Sequence, residues 1–177
     1  MLFPVYGFGG RSGSTQVNHC FAINGNETNP EVEGVTGILQ AYYNSIQLIT
    51  LSGPTIFTQI VAQASSLAAA EVQSQRNQRY FILLIITDGV INDMDATVNS
   101  IVEASDLPLS ILIVGVGDAN FGPMRALDSD DKLLVSKVSG KTASRDIVQF
   151  VAIKDLVHLN GEEFENELAK ELLAEIP

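Results

Sequence analysis

A chain of 177 residues with 46% hydrophobic and 18% charged side chains is long enough for one domain with a full core and short for two. Ten basic residues against 21 acidic leave a formal charge of -11, which disfavours nucleic-acid phosphates and anionic membrane surfaces as partners. The single cysteine, Cys20, excludes an intrachain disulfide and favours a reducing, intracellular setting. No run of about 18 apolar residues is present, and the opening MLFP lacks the basic start and apolar core of a signal peptide, so a soluble chain is expected.

Residues 3–8 (FPVYGF) read as a short apolar strand. Gly7, Gly9, Gly10 and Gly13 follow with Ser12 and Ser14, but without the order G-x-x-x-x-G-K-[ST], and with Arg11 in place of lysine, they do not make a nucleotide-binding loop. Residues 17–23 (VNHCFAI) look like a second strand, with His19 a structural side chain and Cys20 packed beside Phe21. Residues 24–30 are polar turn material. Val35, Ile38, Leu39 and Tyr42 fall at i, i+3, i+4, i+7 and predict an amphipathic helix over 32–45. A breaker cluster, residues 52–55 (SGPT), precedes a second helix through Ile60, Ala64, Leu67 and Ala68 toward Arg76, with Thr55 a candidate N-cap.

The pivotal stretch is residues 80–95, YFILLIITDGVINDMD. Seven apolar residues, 80–86, run without alternation, the pattern of a strand covered on both faces in a parallel sheet. Thr87, Asp88 and Gly89 then place a hydroxyl, a carboxylate and a turn residue at the carboxyl edge of the sheet, where ligands bind in open α/β folds. Taken alone, a cap for the following helix or its turn is the favoured account of Asp88. A third helix is expected over 95–105, with Val98, Ile101 and Val102 inward. A buried strand over 109–116 (LSILIVGV) leads into GVGDAN, which has two glycines of a dinucleotide fingerprint and Asn120 in place of the third. A short helical piece (124–127), an irregular acidic connection (128–141), a last strand (147–153, IVQFVAI) and an acidic amphipathic helix (161–176) complete the chain. The helix turns Phe164, Leu168, Leu172 and Leu173 inward, and His158 before it is expected to be exposed. Asp128, Asp130 and Asp131 match a calcium loop only loosely and suit a solvated turn.

This order implies an α/β layer fold with a mainly parallel sheet. The runs FPVYGFGGR, FAIN, EGVTGILQAYYN, GPT, ILLIITDGVINDM, LPLSILIVGVGDANF, LDSDD, RDIVQFV and LAKELLAEIP together resemble the von Willebrand factor A (vWA) domain of copines, the cytosolic calcium-dependent phospholipid-binding proteins. The resemblance implies one truncated domain over residues 1–177, a three-layer, Rossmann-like parallel sheet with helices on both faces. It implies a divalent cation, Mg²⁺ or Mn²⁺, at the carboxyl edge in a metal-ion-dependent adhesion site (MIDAS), with Thr55 matching a hydroxyl contributor and Asp88 a carboxylate contributor, direct or through water. The family's Asp-x-Ser/Thr-x-Ser motif does not occur, so a partial site with weak or no metal binding is expected.

The implied function is protein interaction in the cytoplasm, with membrane recruitment left to C2 domains absent from this chain. The alternative is a nucleotide-dependent enzyme, an oxidoreductase around GVGDAN or a phosphotransferase around Asp88, but no phosphate-binding lysine or nucleophile with a general base sits beside Asp88, and no acidic residue closes a second strand about 20 residues after GVGDAN. In the family's sheet the motif strand lies between the strands matching 3–8 and 80–86. Without it, either those two strands are expected to pair directly or a second copy to associate, because an apolar strand edge is a template for another chain.

Overall fold

The computed structural model describes all residues except 14–15, 71–73, 75, 77, 129–131 and 175. Two compact units divide the chain, residues 1–60 and 61–177.

The first unit is built from short antiparallel ladders and a helix. β1 (Leu2–Pro4) pairs with β5 (Glu31–Glu33), β2 (Tyr6–Gly7) with β4 (Phe21–Ala22), and β3 (Gly10–Arg11) with β6 (Thr50–Leu51). The continuous strand expected over 3–8 is thus divided between two partners. Val5 explains the division, its N–H bonding Pro30 and its carbonyl accepting from Ile23. Two glycines allow close packing here: a Cβ on Gly7 would meet the Phe21 ring at 2.5 Å, and one on Gly10 would meet Ile49 at 2.6 Å. Any side chain at either position would force these neighbours aside.

Helix α1 (Gly34–Ile46) forms where periodicity places it, but it buries a different face. Ala41 and Ser45 are its buried residues, whereas Val35 is 68% exposed, Leu39 52% and Tyr42 53%. Small side chains permit the close approach, and the large apolar ones remain outside. α2 (Thr58–Ala70) buries Ile60, Val61 and Ala68 but leaves Leu67 partly exposed. Its expected continuation toward Arg76 falls largely on residues outside those described.

The second unit carries a parallel sheet in the order β7 (Phe81–Thr87), β8 (Leu109–Gly115), β9 (Val148–Ala152). β8 runs in register with both neighbours, and all seven of its residues are buried. An apolar run without alternation becomes a central strand here, as expected. β7 has the same kind of sequence and a different fate. Among the described residues it has a strand on one side only, and its burial alternates, with Ile82 51% exposed, Leu84 53% and Ile86 61% while Ile85 and Thr87 are buried. The expectation that both its faces are covered is corrected: hydropathy records what could be buried, and only packing neighbours decide which face is.

α3 (Met94–Ala104) buries Thr97, Ile101, Val102 and Ala104. Its end is tied to the start of the last strand segment by Ser105, whose buried hydroxyl donates to the Val102 carbonyl at 2.7 Å and accepts the Ser144 N–H at 2.9 Å. α4 (Gly122–Arg125), α5 (Ile153–Leu156) and α6 (Glu162–Leu172) complete the unit, with α6 packed on β9 and α5. Phe164, Leu168 and Leu172 are half-buried, but Leu173 is 55% exposed and lies past the helix end. The core gathers Leu109, Ile111, Ile113, Phe121, Met124, Leu127, Ile147 and Val148, each at most 2% exposed.

Candidate metal centre

Asp88 follows β7 directly and its side chain is exposed at the carboxyl end of the parallel sheet. The turn that presents it is built by Thr87, whose buried hydroxyl accepts the Gly89 N–H at 3.2 Å and lies 3.2 Å from the Gly89 carbonyl. Thr87 therefore spends its hydroxyl on the backbone, which leaves the neighbouring carboxylate as the group directed to solvent. The reading of Asp88 as a helix cap does not hold, because α3 begins only at Met94 with Asp93 at its N-cap position. Beside this turn the end of β8 is latched to β7 by the Val116 N–H on the Thr87 carbonyl, 2.8 Å, and the chain turns away at Gly117 with φ 84°. A positive φ of that size is strained for any residue with a side chain.

Thr55 lies in the first unit, half-buried in the segment before α2. Since that helix starts at Thr58, Thr55 stands too far upstream to be its N-cap.

Mg²⁺ takes near-octahedral oxygen coordination at about 2.1 Å, usually from one or two carboxylates and waters. Within the second unit Asp88 is exposed after β7 and Asp118 in the loop after β8, and among the described residues no group of three His, Cys, Asp or Glu is disposed to hold a metal. This donor set does not fit a tight divalent site. Asp128 belongs to the architecture instead: its Oδ2 accepts the Phe150 N–H at 2.9 Å and a Gln149 amide N–H at 3.3 Å. The solvated turn expected around it is corrected at this residue, while Asp130 and Asp131 lie outside the described residues.

The GVGDAN segment is a packing device. A Cβ on Gly115 would stand 3.0 Å from the Phe121 ring, so glycine lets that ring close over the end of β8. The Asn120 side chain accepts the Gly122 N–H at 3.1 Å, and the helix that follows, α4, has only four residues. A dinucleotide loop instead opens a full helix whose N-terminus faces the pyrophosphate.

Cys20 is half-buried, its backbone N–H held by the Asn18 side chain at 3.0 Å. Burial and, secondarily, the Glu27 carboxylate push its thiol pKa up, which lowers the thiolate fraction that a nucleophile needs. Maleimide labelling of the folded chain should therefore have its pH profile displaced upward relative to the urea-unfolded chain. Coincident profiles would show that the thiol is unperturbed. His19 is buried and His158 exposed, as expected.

The family model described as Copine matches residues 1–177, the whole chain. The chain belongs to the copine family. It is similar to Copine-A of Dictyostelium discoideum, 52% identical over 177 residues, and to Protein BONZAI 1 and Protein BONZAI 2 of Arabidopsis thaliana, 45% and 46% identical over 175 residues. Each alignment covers 99% of this copine chain but only 28–29% of the relative. The chain thus spans less than a third of the length of the curated relatives it matches. None of the three names denotes an enzyme. No helix among the described residues is long and apolar enough to cross a membrane.

The sequence reading placed the Thr87 hydroxyl at the sheet edge but not its role, which is to shape the turn on which Asp88 sits. Its signal was present in the TDG order, where a hydroxyl precedes an acid and a glycine at a strand end.

Proposed function

We propose that this chain is the protein-interaction part of a copine-like, calcium-dependent phospholipid-binding protein, with a vWA-like three-layer architecture and a partial MIDAS of which Asp88 is the carboxylate contributor. The observation that carries this reading is the exposed carboxylate outside the carboxyl end of a parallel strand, the position at which α/β sheets meet their ligands. The copine match over the whole chain supports it. Partner proteins would be met at that edge, and delivery to membranes would fall to C2 domains outside this chain.

Metal binding should be weak. Calorimetry is expected to give a Mg²⁺ dissociation constant well above about 1 µM, less than about 8 kcal/mol of binding free energy. Asp88→Ala should reduce what binding there is, whereas Asp130→Ala should not. Micromolar affinity, or loss of binding on changing Asp130 alone, would place the metal elsewhere. Thermal shift separates a binding module from a nucleotide-dependent enzyme, since a ligand raises apparent stability only by binding the folded state. ATP and NAD at millimolar concentration should leave the transition unmoved, and stabilisation by either would sink the interaction-module reading.

A further inference from the structure

We propose that Arg11, His19 and Ser52 form a site for a small oxyanion, inorganic phosphate, where three backbone segments of the first unit meet at Gly10. Gly10 exchanges both hydrogen bonds with Asn18, at 3.1 and 2.7 Å, and pairs with Leu51 on its other side, while the Gly9 carbonyl accepts the Ser52 N–H at 2.7 Å. His19 and Ser52 are thus set against Gly9 from either side, two interstrand spacings or about 10 Å apart. Arg11, two residues beyond Gly9, is the diagonal neighbour of both, at the separation of about 7 to 8 Å that a long side chain spans. Gly9 puts no side chain between them, and a Cβ there would meet only the main-chain carbonyls of Ser52 and Pro54, at 3.0 and 4.0 Å.

What points to a ligand is that each of the three residues carries a buried polar atom without a hydrogen-bond partner: Arg11 Nε, His19 Nδ1 and Ser52 Oγ. Asn18 and Leu51 are exposed, whereas His19 beside Asn18 is only 9% exposed, so the imidazole turns into the unit. Buried polar atoms are ordinarily satisfied. An arginine Nε–H can only donate, and a serine hydroxyl and an imidazole nitrogen can each donate, so one acceptor group serves all three. Charge selects an anion over water. Arg11 is the only Lys or Arg in residues 1–60. Of the carboxylates in that unit, Glu27 accepts the Ala22 N–H at 3.1 Å, and Glu31 and Glu33 stand opposite Pro4 and Leu2. A half-buried cation without a counter-charge is costly, and an oxyanion supplies both the charge and the acceptors. The Ser52 and Pro54 carbonyls accept in turn, which suits phosphate, with an O–H near neutral pH, better than sulfate, with none. Because the three atoms are buried, the site takes the free anion rather than a phosphate ester.

NMR on the full, unsubstituted chain tests this directly. Inorganic phosphate titrated over about 0.1 to 20 mM, around the millimolar scale of small ligands, should move the Arg11 Nε–H and His19 ring resonances along one saturable curve while those of Arg125 and His158 stay in place. Arg11→Gln should weaken phosphate binding at least about tenfold, equivalent to about 1.4 kcal/mol, as read from the His19 ring, and Lys170→Gln should leave it unchanged. Sulfate and glycerol 3-phosphate, at matched ionic strength, should each bind at least about tenfold more weakly than phosphate, again about 1.4 kcal/mol. Resonances of Arg11 and His19 that do not respond to phosphate overturn the proposal. So do shifts that never saturate or that sulfate reproduces, which would report ionic strength alone. Glycerol 3-phosphate binding as tightly as phosphate would overturn the enclosed site and assign these residues to a phosphorylated molecule.

Discussion

Phe121→Ala should destabilise the second unit by about 3 to 5 kcal/mol, the cost of deleting a fully buried aromatic ring. The ring is 2% exposed, stands 5.6 Å from the Phe150 ring, and fills the space that Gly115 leaves open at the end of β8. Lys154 lies over its face at 5.3 Å and donates to the Ala119 carbonyl at 2.6 Å, so the ring also supports the contact that pins the loop between β8 and α4. Surroundings fixed by two β-strands cannot collapse into the void, which sets the loss toward the upper part of the range. Urea titration followed by a probe in the second unit measures it. Gly115→Ala should also destabilise, by about 1 to 3 kcal/mol through overpacking. A loss below about 1 kcal/mol for Phe121→Ala would mean that the ring does not close the core as placed.

Arg145→Ala should cost about 2 to 3 kcal/mol, the scale of a hydrogen bond to a charged group together with the buried Leu109 carbonyl it leaves short of a donor. Its guanidinium donates to the carbonyls of Leu107 and Leu109, both at 2.7 Å, and lies 5.8 Å from the centre of the Tyr80 ring. The β8–β9 ladder begins only at Ile111 with Val148, and Leu109 is fully buried. Arg145 therefore supplies donors where β9 has not yet started. Both bonds come from one guanidinium nitrogen, and Arg145→Lys should recover only part of the loss, because a lysine ammonium lacks the planar group that stacks on the Tyr80 ring while donating. Equal stability of the Lys and Arg proteins would reduce the residue to a surface charge.

Much of the second unit was legible in the sequence because its elements are long and their patterns strong. The run 109–116 has no polar interruption beyond Ser110 and becomes a fully buried strand, and Ile101 and Val102 sit inward on α3 as their spacing requires. Asp88 was legible for a similar reason: a hydroxyl, an acid and a glycine closing an apolar run mark the strand's carboxyl end wherever the strand sits in the sheet. Arg145 was not legible, since its partners are main-chain carbonyls 36 and 38 residues away, and no local pattern records a side chain that completes a ladder.

By itself the sequence determined the family, the alternation of strands and helices in the second unit, and the placing of a carboxylate at a sheet edge. These follow from local hydropathy, turn chemistry and motif order, which act within a few residues. Only the tertiary structure decided which faces α1 and β7 bury. α1 turns Ala41 and Ser45 inward while Val35, Leu39 and Tyr42 stay out, and β7 shows Ile82, Leu84 and Ile86 to solvent although its sequence is as apolar as that of β8. Periodicity states that a face is apolar; whether it is buried depends on neighbours brought together from distant parts of the chain.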